Sequence, residues 1–313
     1  MNIIALSVSR KVQLIRSIKD ACKASSRKLF CADASDESAA LYFADDFVIT
    51  PKINSNNLLA YLLNYCRRNN ITFILPTSDY DMVFLTNVRK ELQDNGITVL
   101  MSDSETINNC ISKFKFLEIC NANNIPIPTV YKSLKAIEYP CVAKLEVSQA
   151  SKGVFFIKKY KDLENLLKKF DFSELIFQKF IDSQEYTIDS FYGENGKLVC
   201  AVPRKRLRVV DGESIISETA FVPELIDLAD QLASIFDFFG HITIQAFFDG
   251  TKANVIEINP RFGGASNLSF KAGLKSPEWM LHLIDKKDDL IYADNIKYNL
   301  KMLRYSQDFF HEM

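Results

Sequence analysis

The stretch Val255-Ile256-Glu257-Ile258-Asn259-Pro260-Arg261-Phe262-Gly263-Gly264 constrains this chain more than any other. Successive side chains of a strand point to opposite faces, so strict alternation predicts Val255, Glu257 and Asn259 on one face and Ile256 and Ile258 on the other. One face is then apolar and the other ends in oxygen ligands. Pro260 ends the ladder, Arg261 adds a fixed planar charge, and Gly263-Gly264 permit a turn or a close backbone approach. A carboxylate and an amide oxygen two residues apart suit a hard cation such as magnesium, which takes oxygen ligands together with waters and substrate phosphates. The competing reading is a buried strand end whose Glu257 pairs with Arg261.

A chain of 313 residues exceeds the usual size of one domain, so two or three lobes are expected. Its 38 Lys and Arg against 39 Asp and Glu leave no global basic field, which argues against a nucleic-acid partner. The seven cysteines form no CxxC pair and the three histidines are dispersed, so a zinc site is not expected and reduced thiols in a cytoplasmic setting are. No apolar run is long enough to cross a bilayer, and the first residues read as a strand without a cleavage site, so no membrane partner is expected.

Along the front of the chain, strands and helices alternate. Ile3 to Leu6, Leu29 to Ala32, Phe47 to Ile49, Ile71 to Leu75 and Ile97 to Leu100 read as strands. Leu14, Ile15, Ile18, Ala21 and Cys22 keep helical spacing, and Asn57 to Arg67 and Met82 to Leu92 read as further helices. That alternation with short connections predicts an open, mostly parallel sheet. The loop after the first strand, Ser7-Val8-Ser9-Arg10-Lys11, has no glycine, which excludes the dinucleotide fingerprint. The loops at Ser7 to Arg10, Asp33 to Asp36 and Pro76 to Asp79 remain candidate ligand sites, with helix capping by Asp33 and Ser78 as the plainer role.

A serine-capped helix from Ser112 to Asn123 carries Lys113 and Lys115, and Ile125-Pro126-Ile127-Pro128 is extended. Tyr139 to Lys144 is a strand ending in lysine, placed to meet phosphate oxygens beside the polar loop Glu146 to Lys152. Gly153 to Lys158, Glu174 to Ile181, Glu185 to Tyr192 and Lys197 to Arg208 follow as strands, the last with Arg204, Arg206 and Arg208 on one face, where they need anionic company. Pro223 to Phe239 reads as an amphipathic helix. His241 to Phe248 and Lys252 to Asn259 then make a hairpin about Asp249-Gly250, whose register can bring Gln245 beside Glu257 and Asn259. Three oxygen ligands converging shift the balance towards a metal.

Taken in order, these features resemble the ATP-grasp superfamily, and within it the carbamoyl-phosphate-synthase-like carboxylate-amine ligases. The resemblance runs over nearly the whole chain and lies in the ordered set: a lysine at a helix start, strand-lysine-small loop, Gln-Lys-Phe-Ile before Glu-Tyr-Thr, a basic strand, then Gln245 and Glu-Ile-Asn-Pro-Arg. It implies an α/β chain, with a Rossmann-like N-terminal open parallel sheet over residues 1–110, a small ATP-grasp lobe over 111–181 and a C-terminal lobe with the magnesium site over 182–313. It further implies that Lys144 and either Lys113 or Lys115 meet ATP, that Gln178, Lys179 and Phe180 flank adenine, that Glu185 takes the ribose hydroxyls, and that the loop bearing Ser151 closes over the triphosphate. Gln245, Glu257 and Asn259 would hold two magnesium ions, for which manganese can stand in. Arg261 and one of Arg204 or Arg206 would face the transferred phosphoryl group, and His241 would lie near the acceptor. The implied reaction activates a small carboxylate as an acyl-phosphate and joins it to an amine, releasing ADP. The implied partners are small-molecule carboxylate and amine substrates and a second copy in a homodimer. Carboxyphosphate or carbamate chemistry and an ATP-binding regulator without turnover are the alternatives. Two departures stand out: the loop Val147 to Lys152 lacks glycine, and the hinge carries Gln178 where glutamate is usual.

Overall fold

The computed structural model describes residues 1–146 and 153–311. The front of the chain alternates as its periodicity predicts: β1 (Asn2–Leu6), α1 (Val12–Ala24), β2 (Leu29–Asp33), β3 (Asp46–Ile49), α2 (Leu58–Arg68), β4 (Ile71–Leu75), α3 (Asp79–Asp94) and β5 (Thr98–Val99). All pairings are parallel, in the order β3-β2-β1-β4-β5. Helix α1 buries the apolar stripe Leu14, Ile15, Ile18, Ala21 and Cys22, and α3 starts with a capping box between Ser78 and Asp81.

Two helices follow, α4 (Ser104–Ile111) and α5 (Lys113–Ala122), the second capped by Ser112. Next come β6 (Val130–Tyr131), β7 (Cys141–Leu145), β8 (Val154–Ile157), α6 (Tyr160–Leu167) and β9 (Leu175–Lys179), whose strands form a four-stranded antiparallel sheet in the order β6-β9-β7-β8. The third sheet is built from β10 (Gln184–Tyr192), β11 (Leu198–Val210) and β12 (Glu213–Thr219), then, after α7 (Pro223–Ala233), β13 (Gly240–Phe248) and β14 (Ala253–Asn259). Helices α8 (Ser266–Ala272) and α9 (Ser276–Ile284) precede the short edge strand β15 (Lys301–Leu303), which completes the order β14-β13-β10-β11-β12-β15.

Two departures from the sequence reading have physical causes. The helix expected from Pro223 to Phe239 ends at Ala233, because Phe236 and Phe238 are both buried and their rings stack at 5.4 Å. Residues two apart on a helix point in nearly opposite directions and could not share one core. Helix α5 sends Phe116, Leu117 and Cys120 into the core under the six-stranded sheet, and Pro126 O accepts from Val255 N at 2.8 Å. Val255 does not share a face with Glu257. A bulge shifts the β13–β14 register between Gln245 and Ala246, placing Val255 in the core with Ile258 and leaving Ile256 and Glu257 to border the same cleft.

The first and third sheets meet along one continuous core. Ile15, Ile18 and Cys22 of α1 pack with Phe191, Phe262, Trp279 and Met280. This fixes the carboxyl ends of β1 and β4 against the loop after β14.

Candidate active site

The site begins with strand register. Glu257 of β14 lies opposite Gln245 of β13, which lies opposite Thr187 of β10, itself opposite Arg204 of β11. Partners in an antiparallel pair share a face, so these side chains form one row across the sheet, and Asn259, Thr243 and Asp189 form the next. The metal-ligand trio is gathered by this row. Gln245 Nε2 is 2.5 Å and Asn259 Nδ2 3.0 Å from Glu257 Oε1, and Arg261 Nη2 reaches Asn259 Oδ1 at 3.3 Å.

Across from this row lies the four-stranded sheet. Lys113, Lys144, Gln178, Ile256 and Glu257, with the apolar Cys110, Phe116, Leu117 and Ile176, line a cleft with about 340 Å³ of empty space counting its open mouth. Of the two helix-start lysines, Lys113 lines the cleft and Lys115 stands exposed on the opposite side of α5. Lys113 Nζ donates to Glu146 O at 2.7 Å, while the Glu146 carboxylate accepts from Ser112 Oγ at 2.8 Å and Phe114 N at 3.1 Å. Glu146 therefore pins the start of α5 to the end of β7, a role the sequence reading missed although the residue lies two past Lys144.

Lys144 is largely enclosed, yet its ammonium makes no hydrogen bond or ion pair among the described residues. Burial pushes its pKa down, opposed by Glu257 and Glu185, and burial lowers Lys113 likewise against Glu146 and Glu257. At the hinge, the Gln178 side chain is buried and Lys179 exposed, its N–H donating to Thr129 O at 2.8 Å. Phe180 lies past the end of β9 against Phe156, with ring centroids 4.9 Å apart, and its backbone N–H and C=O have no partner among the described residues. Ser151 and the loop Val147 to Lys152 lie outside the described residues.

The arginines divide. Arg206 Nε lies 2.9 Å from Glu185 Oε1 at the edge of the cleft. Burial raises the Glu185 pKa, with Arg206 opposing, and burial lowers that of Arg206 with Glu185 opposing. Arg204 is instead enclosed, its Nε donating to Asp189 Oδ2 at 2.8 Å. His241, expected near the acceptor, is buried as well: Nδ1 lies 2.9 Å from Ser276 Oγ and Nε2 3.2 Å from Ser266 Oγ. Arg261 turns towards the front sheet, its Nε 2.5 Å from Asp79 Oδ1. The loop that carries it is held closely: Gly263 N donates to Ser266 Oγ at 2.9 Å, and a Cβ on Gly263 would lie 3.0 Å from Thr243 Oγ1.

One carboxylate flanked by two carboxamides is a hard-oxygen donor set. A half-turn of each amide replaces its N–H₂ by the oxygen, and a dication at Glu257 would need further negative ligands from outside the protein, as magnesium with a triphosphate has. The residues present thus fit magnesium held together with phosphates.

Comparison with known proteins agrees with this geometry. The family model of the PylC-like N-terminal domain matches residues 3–100, and that described as ATP-grasp in the biosynthetic pathway with Ter operon matches residues 171–306. The carbamoyl phosphate synthase large chain of Clostridium acetobutylicum is 22% identical over 196 residues, a stretch spanning 56% of this chain but only 18% of that much longer one. Biotin carboxylase from Campylobacter jejuni, solved with an ATP analogue, superposes with a TM-score of 0.76 at 17% identity, over 96% of this chain and 74% of that one. N5-carboxyaminoimidazole synthetase from Staphylococcus aureus, solved with ADP, gives 0.75 at 15% identity, over 97% and 93% of the two chains. With its parallel front sheet followed by two antiparallel sheets facing each other across a cleft, the chain belongs to the ATP-grasp superfamily.

Proposed function

We propose that the protein is an ATP- and magnesium-dependent ligase that activates a small carboxylate as an acyl-phosphate and joins it to an amine, forming a C–N bond and releasing ADP and phosphate. The observation that carries this reading is Lys144, an enclosed ammonium with no hydrogen-bond or ion-pair partner among the described residues, facing Glu257 and Glu185 across the cleft. An enclosed cation in that setting is costly until an anion arrives, and a triphosphate is the anion that suits a lysine at a strand end.

In this reading Lys144 and Lys113 bind the α- and β-phosphates, the open backbone of Phe180 with Gln178 and Lys179 borders adenine, and Glu185 takes the ribose hydroxyls. Glu257, with the amide oxygens of Gln245 and Asn259, would hold magnesium, two ions being expected from the family resemblance. When bound, the metal supplies charge neutralisation at the β- and γ-oxygens. Arg206 and Arg261 stabilise charge developing on the transferred group, and no side-chain nucleophile is needed. Positioned donors of this kind are worth roughly 3–4 kcal/mol each in the transition state. The lobes are assigned as a front domain to residue 110, a lid built on the four-stranded sheet, and a C-terminal lobe from residue 182. The substrates are small molecules in the cytoplasm, and a homodimer is the assembly suggested by related enzymes.

The test is ADP release over a panel of small acids paired with amines, in wild type and Glu257→Gln. Stimulated release in wild type, lost by about 100-fold or more in the variant, is expected. Tight ATP binding that Glu257→Gln leaves unaltered, with no pair stimulating release, would overturn the enzyme in favour of a regulator.

A further inference from the structure

The strand order β3-β2-β1-β4-β5 reverses direction between β1 and β4, and ligands of open α/β sheets sit outside the carboxyl ends of the strands at such a switch point. Here those ends are Ser7 to Lys11 and Thr77 to Asp79. The loop after β14 reaches the same place from the third sheet, where Arg261 bonds Asp79.

The charges at this crevice are unevenly satisfied. Asp81 accepts from Ser7 Oγ at 2.6 Å, Thr77 N at 3.1 Å and Ser78 N at 2.9 Å. Asp33 accepts from Ser9 N at 2.8 Å and Ser35 N at 3.4 Å, and Asp79 is taken by Arg261. Lys11 has only neutral oxygens: its Nζ donates to Ser7 O at 2.8 Å and Thr77 Oγ1 at 2.9 Å. Thr77 Oγ1 spends its own proton on Leu6 O at 2.7 Å or Ser7 O at 2.9 Å, so towards Lys11 it is an acceptor. Among the described residues no carboxylate lies within ion-pair distance of Lys11, and these two bonds leave one of its N–H groups over.

We propose that the switch-point crevice is the subsite for a carboxylate carried by the amine substrate, with Lys11 as its counter-ion, so that the acceptor is an amino acid and not a simple amine. The proposal rests on the ligase reading above. Its location follows from Arg261, which joins the crevice to the row of Glu257 and Asn259, so a molecule anchored on Lys11 can extend its amine towards the phosphoryl site. A monoanion fits better than a phosphate, because Asp33 and Asp81 lie near Lys11 and Arg261 is already taken by Asp79, so a dianion would meet more repulsion than Lys11 offsets. Burial lowers the Lys11 pKa to about 8, with Asp81 opposing and Arg261 adding to the fall. That is the condition of a cation which gains from a bound carboxylate.

The experiment pairs the α-amino acids with their α-carboxamides as acceptors, in wild type, Lys11→Met and Lys11→Arg. ADP release gives KM and calorimetry gives binding independently of turnover. In wild type an amino acid stimulates release and its amide has a KM about tenfold higher or more. Lys11→Met raises the KM of the acid by about tenfold, leaves those of the amide and ATP within about twofold, and weakens calorimetric binding of the acid alike, whereas Lys11→Arg restores part of it. A melting temperature near wild type in Lys11→Arg guards against misfolding. An amide as good as its acid, equal losses for both in Lys11→Met, or release stimulated only by simple amines would overturn this proposal while the ligase reading stood. Failure of ATP to bind, or of any acid and amine pair to stimulate release, would overturn the ligase reading, and unaltered calorimetric binding of amino acids to Lys11→Met would still overturn the role of Lys11.

Discussion

Arg204 and Arg206 stand two residues apart on one face of β11, each beside a carboxylate of β10, and they live in different circumstances. Arg204 and Asp189 are both buried, and Asp189 accepts not only from Arg204 but from Ser266 Oγ at 2.8 Å and Ser269 Oγ at 2.6 Å, with Thr243 Oγ1 at 3.4 Å. Burial alone would raise the Asp189 pKa. Arg204 above all, with His241, overcomes that and holds it far below the usual carboxylate range. Around the Arg206–Glu185 pair the further bonds go to the arginine, whose Nη2 donates to Gly212 O at 2.9 Å, and burial lowers one pKa and raises the other, so each charge is held at a cost its partner does not cancel. A carboxylate enclosed by four donors is structure, whereas a pair whose charges are each held at a cost beside a cleft marks a place where a ligand is wanted.

The contrast is broken most directly by removing each arginine. Arg204→Met leaves Asp189 buried without its counter-ion, and a loss of roughly 3–5 kcal/mol in unfolding free energy is expected from denaturant titration. Arg206→Met should cost only about 1 kcal/mol of stability, because Glu185 can rehydrate at the cleft, yet lower kcat/KM by about 100-fold if Arg206 faces the transferred phosphoryl group. Equal stability losses in the two variants, or full activity in Arg206→Met, would show the two pairs to be alike.

The sequence distinguishes these pairs poorly, and the reason is physical. Register makes Arg204 and Arg206 equivalent in β11, and what separates them is α8, which brings Ser266 and Ser269 over Asp189 from almost eighty residues downstream. No local pattern carries that contact. The front sheet, by contrast, was legible because its strands are short apolar runs between helices with clean stripes, as in α1 and α2. The row Gln245, Glu257 and Asn259 was legible through hairpin register, although the bulge that moves Val255 into the core was not. β12, β15, α8 and α9 went unread, since their residues are mixed in polarity and owe their conformation to sheet edges and to Trp279 in the shared core. Lys11 went unread for a different reason: a lysine after a strand is ordinarily solvated, and only the fold shows it turned inward between Ser7 and Thr77.

The smallest expected effect is also the most diagnostic, because the two pairs should respond to pH with opposite sign. The folded pKa of Asp189 is depressed, so its contribution to stability is complete above the unfolded value, near 4, and is lost only as pH falls below it. The folded pKa of Glu185 is raised, so its contribution is complete below the unfolded value and declines as pH rises through the folded one. Against wild type, Asp189→Asn should therefore show a deficit in melting temperature that is constant from about pH 5 to 8 and shrinks under more acid conditions. Glu185→Gln should show a deficit that narrows by about a degree or two as pH rises above about 4.5, where wild type begins to bear the cost of a desolvated carboxylate. Magnesium and ATP, by supplying cations and hydroxyls to Glu185, should flatten its slope and leave that of Asp189 unaltered. If both variants tracked wild type in parallel across this range, the difference drawn between the enclosed Asp189 and the Glu185 pair would not hold.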